Sequence, residues 1–469
     1  MDTRPRARAQ SPAGGPLTGP GGTSSADGEP SSGRGPAQPG AGVFGADPAR
    51  RLFARVACLV VAVIGWANVV ILGRAMLSAS PPEAGLDLQL LLDAGKRVAA
   101  GGSPYDPNAV AAGLQARDLF FSYPPVVAQI LAPISGLPTW LVLTGWCLGA
   151  AAGLVLMAAL LPRWPIGQPA RPIADLSLDT ALLTLAAAPF FFPFAVALLF
   201  GNVDAWFPFL FGAVALTLAS GRAIPSRLTS AAGGVALAVA SAVKLHPATI
   251  AVWLAAERPA RSGLRRPGLF VICAAVAAGA AILAFSLAVG GVGPWREYID
   301  YLRASGNADL ASSVNIGPAS QLALLAGDSS LARPLAVVFG VIAVAATLAS
   351  ARLLRDPLES FGWAVVASLI VLPVTWYHYP VALVPVALAA WTRSRGTPRG
   401  RRVTWALMAA LFVSDVAIVL PVALWLAVAV LFAAVRWSRP QPGLEPAPDA
   451  APTPQSVSGE AIAQVPVPR

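Results

Sequence analysis

Charge is what this sequence has least of. Only 12% of its 469 residues are Asp, Glu, Lys or Arg, while 56% are hydrophobic. A soluble globular chain carries about 25% charged residues, and half of that cannot coat a water-facing surface of this size. An ordinary cytosolic enzyme is thereby excluded, and the mean hydropathy of +0.65 agrees. Cysteine is scarce too. Cys58, Cys147 and Cys273 sit in separate apolar runs without a CxxC, which excludes a disulfide-stapled secreted fold and a redox pair and leaves them as small buried hydrophobes. Two histidines, His246 and His378, are too few for a His-based metal cluster. The net charge is +10, yet the basic residues punctuate the hydrophobic runs instead of gathering on one soluble face. Nucleic acid is therefore not an expected partner, and the charge is a topology signal. What remains is an all-α polytopic transmembrane helical bundle.

Residues 1–48 are rich in Gly, Pro, Ser and Ala, with almost no large apolar side chains. Such a segment buries too little surface to offset its ordering entropy and is expected to be a disordered N-terminal tail. The Pro-rich stretch 438–469 is expected to be a second tail, leaving 49–437 as the membrane domain. A span needs about 20 apolar residues. The clear runs are 53–77, 138–161, 177–200, 203–220, 228–245, 268–290 and 332–353. Shorter or Pro-broken runs are 124–136, 247–256, 361–374, 379–392, 405–418 and 419–436. Together they suggest about eleven or twelve crossings and one re-entrant piece. Arg50, Arg51, Arg55, Arg163, Arg171, Arg222, Arg227, the Arg258–Arg266 group, Arg352, Arg355, the Arg393–Arg402 group, Arg436 and Arg439 all fall on one side if the N terminus is cytoplasmic. The long segments 79–123 and 291–331, which carry most of the distinctive acids, then face outward.

Within 79–123, Leu88, Leu91, Leu92 and Val98 recur at helical spacing while Gln89, Asp93, Lys96 and Arg97 face elsewhere. Gly101-Gly102 ends this helix and Ser103-Pro104-Tyr105-Asp106-Pro107 turns the chain. Amphipathic and too short to span, the helix is expected to lie in the membrane interface.

The stretch Asp87 to Gly95, followed by Gly101-Gly102-Ser103-Pro104-Tyr105, resembles the first extracytoplasmic loop of glycosyltransferase family 87, the polyprenyl-phosphate-mannose-dependent mannosyltransferases of the GT-C fold. Phe121-Ser122-Tyr123-Pro124-Pro125 is similar to that family's YPP-containing re-entry. Lys244-Leu245-His246-Pro247 resembles its K-x-[aromatic]-P break, with His246 at the aromatic position. Trp376-Tyr377-His378-Tyr379 resembles its W-x-H-Y turn. Gly201-Asn202-Val203-Asp204 stands where the family tends to have G-Q-x-N. The resemblance spans roughly residues 52–437. It implies a GT-C bundle that transfers mannose from a polyprenyl-phosphate donor to a glycolipid or glycan acceptor at the outer face of the plasma membrane, with inversion and without a cofactor or metal. The sequence has no Walker A motif, no GxSxG and no DxD of the kind that holds a metal for nucleotide-sugar donors. A lipid-phosphate leaving group already carries its charge, and a Lys or His can stabilise it.

The resemblance makes Asp87 the general base; from pattern alone it serves equally as a helix N-cap. Lys244 stands at the end of an apolar helix, where an ionisable group costs about 2.5–3.5 kcal/mol; it either pairs with a lipid phosphate or snorkels to the headgroups. His378 either contacts that phosphate or anchors an interfacial turn. Asp93 can contribute to the site or pair with Lys96 and Arg97. Tyr123, Asn202, Asp204, His246 and Tyr377 are further candidates for substrate contact. Asp106 and Asp415 read as turn residues, and Asp118 has no assignment. Arg296 and Arg303, near Tyr298 and Tyr301, offer cations beside aromatic rings or are simply solvated. The competing class is a transporter or lipid flippase, which also uses polar residues at broken helices; it is disfavoured by the lack of an internal repeat.

Overall fold

A computed structural model describes residues 47–79, 84–106, 121–161, 178–217, 227–256, 267–305, 310–395, 397, 399–416 and 420–439. Nearly all of the two expected tails, Asp118, and the basic residues at 163, 171, 222 and 258–266 lie outside the described residues. The chain divides into Met1–Ala41, which is wholly outside them, and a unit Gly42–Arg469.

Among the described residues there are α-helices and short 3-10 turns and no strand. The helices are α1 (Pro48–Leu77), α2 (Leu86–Ala99), α3 (Pro125–Leu131), α4 (Thr139–Leu160), α5 (Leu178–Ala187), α6 (Phe192–Leu199), α7 (Phe207–Leu216), α8 (Arg227–Val243) and α9 (Thr249–Ala256). They continue with α10 (Pro267–Gly290), α11 (Gly293–Ser305), α12 (Pro318–Ala326), α13 (Ala332–Leu353), α14 (Pro357–Ile370), α15 (Val384–Ser394), α16 (Gly400–Val416) and α17 (Ala423–Trp437). Punctuation residues set several boundaries. Asp47 caps α1 by accepting from the Ala49 N–H at 3.0 Å, with Pro48 in the first helical position.

Among the described residues four helices are long and apolar enough to cross a membrane: Pro48–Leu77, Thr139–Leu160, Gly268–Gly290 and Ser329–Leu353. A bent pair, Leu178–Phe190 and Phe192–Leu199, makes a fifth if it is one span, and six shorter apolar helices accompany them. The run 177–200, expected as a span, is bent by 74°. Pro189 and Pro193 explain it, since each lacks an N–H and its ring crowds the preceding turn. At the break the Phe192 N–H donates to Asp415 Oδ1 at 3.3 Å, which gives that acid a structural partner. α1 and α13 present rows of exposed large apolar residues, including Val63, Ile64, Ile71, Val337, Val341 and Ile342. A water-soluble monomer rarely shows so extended an apolar surface; a bilayer covers it.

Two apolar clusters organise the interior. The larger joins α4, α6, α7, α9, α14, α15 and α17 around fully buried Phe194, Phe207, Trp253 and Phe361. The second lies under the loops and gathers Leu88, Leu91 and Leu92 of α2, Tyr105, Phe121, Tyr123, and Tyr298 and Tyr301 of α11. α2 therefore forms where its spacing predicts, with its apolar face covered by α3 and the Ala132–Ile134 turn. The two long loops are tied together. Tyr105 stacks on Tyr298 and Tyr301 at centroid separations of 6.0 and 5.9 Å, its hydroxyl donates to the Tyr123 carbonyl at 2.9 Å, and Ser103 hydrogen-bonds Glu297. Arg303 pairs with Asp300 in the exposed part of α11.

Candidate functional site

The site begins where α6 ends and α2 starts. The Gly85 N–H donates to the Leu199 carbonyl at 2.7 Å, and the Asp87 and Leu88 N–H groups to the Phe200 carbonyl at 3.0 and 3.1 Å. Donors that a helix N-terminus must have satisfied are thus met by the backbone of another helix, and Gly85 occupies the N-cap with no side-chain bond. The Asp87 carboxylate is left free of capping duty, at the second helical position, where the macrodipole favours a negative charge. Gly201 makes this junction feasible. Its φ is +67°, and a Cβ there would stand 2.6 Å from Leu88 Cβ.

Asp87 is half-buried, and its Oδ2 accepts from Asn202 Nδ2 at 2.7 Å. Burial raises its carboxyl above the ordinary carboxylate range; the Asn202 hydrogen bond and the Lys244 charge pull it back down. Asn202 in turn accepts the Asp204 N–H on Oδ1 at 2.9 Å, fixing the 3-10 turn Val203–Trp206, and its carbonyl takes the Trp146 indole N–H at 3.1 Å.

Asp204 is fully buried. Its Oδ2 lies 2.8 Å from Lys244 Nζ and 3.3 Å from His378 Nε2. The second contact lacks hydrogen-bond alignment, and His378 Nε2 and Asp204 Oδ1 have no hydrogen-bond partner among the described residues. Lys244 is delivered by the end of α8, just before Pro247 interrupts the helix. Its ammonium sits 3.9 Å from the Tyr379 ring centroid, a cation–π contact. Tyr379 stacks on His246 at 5.8 Å, and His246 Nδ1 lies 3.4 Å from Ser368 Oγ. The Tyr123 ring is buried in the same cluster, near Asp87, Asn202 and Asp204.

Asp87, Tyr123, Asn202, Asp204, Lys244, His246 and His378 are therefore brought together from five separate stretches of chain. Two expected residues are placed elsewhere. Asp93 is engaged by Lys96 at 2.9 Å on the exposed side of α2, which is the local ion pair its spacing allowed. Tyr377 donates to the Ser313 carbonyl at 3.3 Å and meets Phe192 edge-on. Its neighbour Tyr379 supplies the ring in the cluster, and the alternation within the short turn carries no periodicity that would choose between them. Trp146, which holds the Asn202 carbonyl, was not singled out by the sequence; an indole in an apolar span gives no signal of its own. Among the described residues no three His, Cys, Asp or Glu side chains gather as a metal site. Chemically, the cluster offers a partly accessible carboxylate able to take a proton, a fixed cation beside it, and buried polar atoms without partners.

The sequence model of glycosyltransferase family 87 matches residues 120–375, more than half of the chain. The matched span includes Tyr123, Asn202, Asp204, Lys244 and His246, while Asp87 and the turn bearing His378 flank it. No curated protein matches the chain.

Proposed function

The chain belongs to glycosyltransferase family 87, and from that premise we propose that this membrane glycosyltransferase moves mannose from a polyprenyl-phosphate donor to a glycolipid or glycan acceptor, with Asp87 as general base. The site lies on the extracytoplasmic side of the plasma membrane, with the N terminus cytoplasmic. In the transfer step the acceptor hydroxyl oxygen attacks the anomeric carbon from the face opposite the phosphate. The bond from that carbon to the phosphate oxygen breaks, its electron pair leaves with polyprenyl phosphate, and the hydroxyl proton passes to Asp87. Configuration inverts. The donor phosphodiester carries one negative charge and the departing monoester gains another, so a nearby cation favours the transition state over the ground state.

Lys244 serves as that cation, with His378 beside it. One ammonium N–H is held by Asp204, and an ammonium has three, so donors remain for an arriving phosphate. Tyr123 and His246 stand beside these groups, within reach of the substrates.

The observation that carries the proposal is Asp87 itself. It is the half-buried acid of the cluster, relieved of helix capping by α6 and hydrogen-bonded by Asn202 on one oxygen. A structural cap would not need that arrangement. The test is transfer of radiolabelled mannose from polyprenyl-phosphate-mannose to glycolipid acceptors by the purified protein in detergent or vesicles. Asp87→Asn is expected to lower turnover by about 10²–10⁴-fold while the protein still inserts and melts as the wild type does. Near-normal turnover in that variant overturns the assignment of the base.

A further inference from the structure

We propose that Asn202 is the positioning residue that aims the Asp87 carboxylate at the acceptor hydroxyl. The proposal rests on Asp87 being the base and adds the device that holds it.

The geometry is specific. Asn202 is 3% exposed, and each end of its amide has a different duty. Nδ2 donates to Asp87 Oδ2 at 2.7 Å, and Oδ1 accepts the Asp204 N–H at 2.9 Å. The backbone of Asn202 is immobilised as well. Its N–H donates to the Ala197 carbonyl at 2.8 Å, and its carbonyl receives the Trp146 indole at 3.1 Å. A side chain so anchored can fix one oxygen of a carboxylate and leave the other to face a substrate. Among the described residues Asp87 Oδ1 has no hydrogen bond. The amide also fixes which end points where. Reversing it would set its oxygen against the Asp87 carboxylate and its NH₂ against the Asp204 N–H, both repulsive.

The same turn connects the base to the cation, because Asp204, two residues on, holds Lys244 at 2.8 Å. A displacement of Asn202 therefore moves the proton acceptor relative to the phosphate partner, and reacting groups misplaced by about 1 Å can lose 10²-fold in rate. A neutral donor suits this place better than a cation would. It stabilises the ionised form of Asp87 without neutralising it, so the carboxylate loses less basicity than it would to a paired cation.

Asp87 is faced by Asn202 and Asp204 from the 201–206 turn, by Lys244 from the end of α8, by Tyr123 from the re-entry and by Tyr379 from the late turn, with His378 on Asp204. Of these, only Asn202 donates a hydrogen bond to it among the described residues.

Two variants isolate the donor from the turn. Asn202→Asp keeps the side-chain oxygen that accepts the Asp204 N–H but loses the donor and adds a negative charge beside Asp87. Asn202→Ser keeps a short acceptor for the turn and loses the donor without adding charge. The measurement is kcat/KM for mannosyl transfer against pH, with a thermal melt of each variant. The expected result is a rising limb moved to higher pH, by about one unit or more in Asn202→Asp and by less in Asn202→Ser, with a plateau at high pH that stays below wild type because the ionised carboxylate is no longer aimed. An unmoved limb in a variant that folds, with or without a uniform loss, overturns the proposal. Asp87→Asn in the same assay separates the two claims. If it remains active, the base assignment fails; if it is inactive and the Asn202 limbs stay put, only the positioning role fails.

Discussion

The two ends of α14 treat buried charge in opposite ways. At its start, Asp356 caps the helix and receives a bidentate pair from Arg393 at 2.9 Å on each oxygen. Arg393 also donates to Ser438 and to the Val435 carbonyl, Arg436 reaches Glu359 at 3.0 Å, and Arg439 pairs with Glu359 as well. Beyond the other end, about 21 Å away for a 14-residue helix, His378 and Asp204 retain unpartnered polar atoms, and Lys244 answers two carboxylates. The first cluster joins α14, α15 and the end of α17, and each of its two carboxylates is paired with two guanidinium groups, as a structural fastening requires. The second leaves hydrogen-bonding capacity unused at a cost to the fold, which is characteristic of a place where a ligand completes the network.

The comparison is tested most strongly by breaking the closed end. Arg393→Ala leaves Asp356 and Ser438 without their main donor in a buried setting, and removing one partner of such a pair costs about 3–5 kcal/mol. A large fall in melting temperature is expected, with turnover per folded molecule unchanged below the melt. If Arg393→Ala instead reduces turnover at temperatures where the protein is fully folded, the two ends are coupled and the division between them is wrong.

Much of this division can be traced to sequence, but unevenly. Apolar runs locate α1, α4, α8, α10 and α13 to within a few residues, because a span must be continuously apolar. Lys244 stands out by itself, since a lone cation before Pro247 in an apolar helix demands a partner. The partner does not stand out. Asp204 lies 40 residues upstream, and Asn202 lies 115 residues from Asp87. Neither distance leaves a periodic trace, so both contacts exist only once the bundle closes. The same limit hid the N-terminal cap of α2. Pattern alone offered Asp87 for that role, whereas carbonyls from residues 199 and 200 fill it. The bend in 177–200 has its cause in Pro189 and Pro193, but a count of apolar residues does not register it. Asp93 and Tyr377 were selected for chemistry and neighbourhood; their contacts are local or lie toward Ser313 and Phe192.

A smaller effect sharpens the open end. Gly201 occupies a left-handed conformation that costs another residue about 1–2 kcal/mol, and an added Cβ would overlap Leu88 and press Leu143. Gly201→Ala is therefore expected to lift the start of α2 off the end of α6 and to lengthen the Asp87–Asn202 contact. The predicted loss is about 10²-fold in single-turnover transfer, with a modest fall in melting temperature. A variant that melts early but transfers at the normal rate would mean that the α2–α6 junction serves stability alone and that Asp87 tolerates displacement.

The smallest expected effect marks where the site stops along α2. Asp93 follows Asp87 on the same helix, and both are carboxylates in a loop that the proposed function makes catalytic. Their surroundings differ. Asp87 is bonded to Asn202 from a distant segment, whereas the Asp93 side chain is 42% exposed and paired with Lys96 three residues on, itself 53% exposed. An exposed pair of this kind contributes about 0–1 kcal/mol, since water and salt screen it. Asp93→Ala should therefore leave melting nearly unchanged and mannosyl transfer at the wild-type rate, in contrast to Asp87→Asn. A tenfold or greater loss of transfer with an intact melt would extend the acceptor groove along the outer face of α2. Asp87 would then share substrate contact with an acid that the geometry assigns to a solvent-facing ion pair.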